Sequence, residues 1–88
     1  MNTQPLRVYI DPSSGVDDSY WIVLHSGERI DDVIGKLGIY DGMPVVAYYM
    51  DDEEEFEWDG LLLHRPTGPP PLPQWIVQAD HATFRRLR

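Results

Sequence analysis

The reactive side chains in this chain are few. They are three histidines (His25, His64 and His81), one serine directly after a histidine (Ser26), and a dense run of carboxylates from Asp51 to Asp59. Nucleophilic catalysis needs Ser, Thr or Cys held beside a positioned base. His25 and Ser26 are neighbours, but adjacent side chains in a strand point to opposite faces, and no Gly-x-Ser-x-Gly elbow occurs. No His-x-Glu or His-x₃-His spacing joins the histidines as metal ligands, and cysteine is absent. The stretch from Asp11 to Asp18 offers oxygens at Asp11, Ser13 and Asp17, in the manner of a calcium loop. Its Gly15 comes one position early, however, Pro12 is out of pattern, and the twelfth position is Ile22 rather than a bidentate Glu. It reads as a turn. Asp51 to Asp59 holds seven acids in nine residues. Two carboxylates can cleave a glycoside, but a catalytic acid needs burial to raise its pKa, and a run this dense reads as a solvated hairpin tip. Gly35-Lys36-Leu37-Gly38 lacks the upstream glycine of a phosphate loop. The expectation is a protein that is not an enzyme and carries no metal or cofactor.

Binding is better supplied. Pro44 to Met50 is apolar on both strand faces, Val45-Ala47-Tyr49 and Val46-Tyr48-Met50. Such a strand is either central and covered twice or exposed to a partner. The acidic hairpin interleaves Phe56 and Trp58 with its carboxylates. Tyrosine and tryptophan bury large area at little rotamer cost, which is why they dominate hot spots. Tyr48, Tyr49, Asp51, Asp52, Glu53, Glu55, Glu57 and Trp58 are therefore the expected partner-binding residues. The expected partner is a protein with a basic surface; nucleic acid and membrane are not expected to bind directly. One alternative is an acidic inhibitor, of phage origin in one version of this reading. It would mimic nucleic-acid charge to block a nucleic-acid-binding protein. Another is a self-associating structural component, a homodimer in which the apolar strand pairs edge to edge with its copy. Pro69-Pro70-Pro71-Leu72-Pro73 matches the proline-rich ligands of WW and SH3 domains, and equally a rigid loop.

The elements that position these residues are mostly strands. Leu6 to Ile10 alternates, Asp11 to Gly15 turns, and Tyr20 to His25 is β-branched and aromatic, which predicts a long-looped hairpin. Ile30, Val33, Ile34 and Leu37 share one helical face. Ser26 is the expected cap and Gly38 the left-handed stop. Asp41-Gly42 turns, and strands follow at Pro44 to Met50, Phe56 to His64 and Trp75 to Ala79, with Gly60 marking a bulge or bend. Pro66 to Pro73 reads as polyproline II. Asp80 to Thr83 reads as one helical turn capped by Asp80, and Phe84 to Leu87 as a closing strand.

The order of these later elements resembles small SH3-like barrels. The resemblance rests on Asp41 to Tyr49, Phe56 to Leu61, Trp75 to Val77, and the one-turn helix at Asp80 to Thr83 before the closing strand. It covers residues 41–88. It implies a mainly β fold of five to six short, bent strands, with residues 1–40 added as a hairpin and short helix in one domain of 88 residues.

Composition sets the outer limits. Fifteen Asp and Glu stand against seven Lys and Arg, a formal charge of −8. Residues 1–64 carry a balance of −11 and residues 65–88 a balance of +3, which repels phosphate backbones over most of the chain. The basic end Arg85-Arg86-Leu87-Arg88 is expected to pair with the acidic body. No apolar run spans a bilayer and the start, MNTQPLR, lacks a leader's apolar core, so a cytoplasmic location is expected.

Overall fold

A computed structural model describes residues 5–87. The start Met1 to Gln4 and the final Arg88, where the leader and tail readings fall in part, lie outside the described residues. Three long strands, β6 (Met43–Asp51), β7 (Glu54–His64) and β8 (Trp75–Arg86), form an antiparallel meander. Five shorter strands extend it. β1 (Leu6–Ile10) lies parallel to β6, from Leu6↔Val45 to Tyr9↔Tyr48. β4 (Val23–His25) pairs with β1, and β5 (Glu28–Arg29) forms that edge. At the other side β3 (Ser19–Tyr20) pairs with β8 and β2 (Gly15–Val16) with β3. The order is β2-β3-β8-β7-β6-β1-β4-β5, and the sheet curls far enough for β4 to touch β8. The fold is mainly β, a half-barrel of eight strands where five to six were expected.

Alternation decides what the curl encloses. Val8, Ile10, Val45, Ala47, Leu62 and Val77 point inward and are buried. Ile30, Val33 and Ile39 from the helical segment join the same core. The expected helical face is thus the buried one. The helix itself divides into a 3₁₀ turn at Ile30–Asp32 and α1 (Ile34–Leu37), with Val33 between them donating to the Ile30 carbonyl. Gly38 ends it in the left-handed region at φ 66°. Ser26 does not cap it. With φ 51°, and followed by Gly27 at 81°, it makes the tight turn between β4 and β5.

Three other expectations change, and one open alternative is decided. Tyr20 to His25 is not one strand. It breaks at Trp21-Ile22, where the Ile22 amide donates to Ser14 Oγ and its carbonyl accepts from the Asp11 amide. Tyr20 therefore joins β8, while only Val23 and Leu24 complete the expected hairpin with β1. The proline segment is not polyproline II. His64↔Trp75 is a ladder pair, so the chain between must reverse. It closes through Arg65 to Gln74 and Thr67 to Pro73 bonds, with a cis Pro70-Pro71 peptide at the tip. Arg29 donates to the Pro71 carbonyl, and the Gln74 amide to Asp31, tying the loop to the body. At Asp80 there is no separate helix. Asp80 Oδ1 accepts from the Ala82 amide, as a cap does, but within a bulge that sets residues 81–84 opposite Trp58 alone. Finally, β6 is central, flanked by β1 and β7 up to Tyr48. Its apolar residues from Val45 to Tyr48 therefore offer no free edge to a second copy.

Candidate functional site

The β6–β7 hairpin continues beyond the last β1 pair, Tyr9↔Tyr48, to a two-residue turn at Asp52-Glu53. Asp52 takes φ 53° there, which aspartate tolerates better than most residues. The register sorts the expected binding residues by face. Tyr48 opposes Glu57 and Met50 opposes Glu55 on one face; Tyr49 opposes Phe56 on the other, which also carries Trp58. The acids and aromatics that alternate in sequence are thus separated in space.

The first face is neutralised internally. The Arg7 guanidinium lies 4.0 Å above the Tyr48 ring and pairs with Glu55 and, at 3.5 Å, with Glu57. Arg85 bonds Glu57 at 2.9 Å and Asp59 at 3.0 Å, so Glu57 sits between two arginines. The hydrogen bonds to Asp59, and then to Glu57, raise the Arg85 pKa above its ordinary value. Tyr9 meets Tyr48 edge-on at 5.6 Å and Tyr49 at 6.0 Å. Burial first, then Asp11 and the neighbouring tyrosines, raise the Tyr9 hydroxyl pKa.

The second face carries a row of rings. Phe56 stacks on Phe84 at 5.6 Å, Phe84 meets Trp58 at 5.5 Å, and Trp58 and Tyr20 each lie 6.2 Å from His81. Trp58 packs against the core, while Phe84 is 49% exposed. The inner end of the row is pinned by the Tyr20 hydroxyl, 3.0 Å from His81 Nε2, and by Asp18, 3.3 Å from His81 Nδ1. Burial, then Asp18, raises the Tyr20 pKa. Phe84 and His81 are in the row because the bulge swings them onto Trp58. Sequence reasoning missed both, although the Asp80 cap that makes the bulge was visible.

At the tip, Glu54 pairs with Arg86 at 3.1 Å. Asp51, Asp52 and Glu53 are exposed and, among the described residues, form no ion pair. An open cleft of about 620 Å³ is lined by Pro44, Leu61, Gln78 and the carboxylates of Asp18, Asp59 and Asp80. Each of these carboxylates already has a partner: His81, Arg85 and the Ala82 amide respectively. Among the described residues no group of three or more His, Asp or Glu is placed to hold a metal ion, and no helix is long and apolar enough to cross a membrane. No family model matches the chain, and no curated protein or solved structure matches it. The site's chemistry is therefore read from its own geometry: contact area from rings, and negative charge at one end.

Proposed function

We propose that this is a non-enzymatic binding module that docks a protein partner with a basic surface on the second face of its β6–β7 hairpin. The observation that carries this is the ring row Phe56–Phe84–Trp58, open to solvent at Phe84, on a hairpin whose tip holds three carboxylates without an ion pair among the described residues. Contiguous half-exposed aromatics supply binding energy, and the tip acids supply steering. Charge mimicry of nucleic acid is the weaker reading. It needs a line of presented carboxylates, and Glu54, Glu55 and Glu57 are held by Arg86, Arg7 and Arg85. Residues 41–88 we read as SH3-like in plan, on the support of the bent three-strand meander and the Asp80 turn before its last segment.

A photo-crosslinking residue at position 84, with one at Lys36 as control, tests the proposal in cells. The expected result is a discrete protein adduct from position 84 only. Equal labelling from both positions, or none from either, overturns it. If the complex dissolves between low and moderate salt, charge mimicry takes its place.

A further inference from the structure

We infer that the cations this face takes are arginine side chains, presented by an extended basic segment of the partner; this rests on the binding reading above and names its chemistry. The hairpin already holds a guanidinium in this manner. Arg7 lies on Tyr48 with Glu55 and Glu57 as its carboxylates, so ring and acid together cradle one arginine on the first face. The second face also carries rings and acids, and its own arginine, Arg86, is taken up by Glu54. Phe84 and Trp58 form an open ring surface over which, among the described residues, no cation sits. Asp51, Asp52 and Glu53 stand at the end of the same hairpin and, among the described residues, form no ion pair. A guanidinium is planar and weakly hydrated, so it can stack on a ring and still bond a carboxylate in its plane. An ammonium is compact and strongly hydrated, and gains less from the rings. Charge complementarity with a chain at −8 selects a basic segment, and the rings select arginine within it.

The test is an NMR titration of the whole protein at about 150 mM salt, where surface charge is largely screened beyond ~8 Å. The probes are hexaarginine, hexalysine and a neutral Pro-Leu repeat peptide. The expected result is movement of the Trp58 indole and Phe84 ring signals by hexaarginine, with affinity about fivefold above hexalysine. Phe84→Leu keeps the apolar volume and loses most of that preference, while hexalysine binding stays the same. Neutralising Asp51, Asp52 and Glu53 to their amides weakens both basic peptides. Equal binding of the two without ring movement overturns the inference. If only the neutral peptide moves the rings, arginine selection falls and the docking face stands. If no probe moves them, both fall.

Discussion

Alanine at Gly60 would place a Cβ 2.8 Å from the Gln78 carbonyl oxygen and 3.2 Å from Val77 Cγ1. The oxygen is the decisive neighbour. It belongs to the backbone of β8, paired on either side through Leu61↔Gln78 and Gly60↔Ala79, and cannot rotate away as a side-chain end can. Gly60 is not among the positive-φ residues, so the substitution tests close approach alone. Overpacking a tight site costs about 1–3 kcal/mol. For a domain of this size each kcal/mol moves Tm by ~4–8 °C, so Gly60→Ala should melt roughly 5–20 °C lower. Gly35→Ala is the internal control. Its Cβ meets nothing within 4 Å, and alanine favours helix by up to ~1 kcal/mol. Thermal unfolding followed by circular dichroism reads both. If Gly60→Ala melts within about 2 °C of the parent, β8 does not approach β7 as closely as described. The same separation would carry Phe84 off Trp58, so the Trp58 indole signal should shift in Gly60→Ala and stay in place in Gly35→Ala.

Three further outcomes follow from the first face and from the titrating groups. A double-mutant cycle of Arg7→Ala with Tyr48→Leu should give a coupling of about 0.5–1 kcal/mol, because Arg7 is 42% exposed and its charge is screened. Zero coupling by urea denaturation would remove the ring contact as a stabilising feature. Asp11 is held below its ordinary 3.8 by hydrogen bonds from Ser13, first the hydroxyl and then the amide. Its contribution is present above that value and fades as pH falls toward the folded pKa, so Asp11→Asn should flatten the acid limb of the stability profile. Tyr20 is raised above 10.0 by burial and then by Asp18, so the folded state keeps its proton longer than the unfolded chain does. Its contribution is full below pH 10.0 and is lost as pH rises through the folded value, and Tyr20→Phe should flatten the alkaline limb. Stability curves parallel to the parent's at both extremes would refute these assignments.

Local chemistry made much of this fold legible in the sequence. The β1 alternation, the long strands around Val45 and Leu62, the helical face of Ile30 and Val33, and the Gly38 stop all follow from period and turn propensity, which act over a few residues. The candidate site was half legible. Tyr48, Tyr49, Trp58 and the acids do share one hairpin, because strand–turn–strand is a local pattern. Three things depended on contacts between distant residues. Tyr20 left its expected strand for β3, which pairs with β8, because Ser14 and Asp11 hold Ile22 across the turn. Prolines that favour an extended helix closed into a loop, because β7 and β8 bring their ends together. The arginines at 7, 85 and 86 chose which carboxylates to neutralise, a choice made only when β1 and β8 flank the hairpin. Composition and spacing therefore determined the strands, the charge and the aromatic supply of this protein. The tertiary structure decided which face stays open, because pairing across the sheet depends on register and proximity, which no short stretch of sequence encodes.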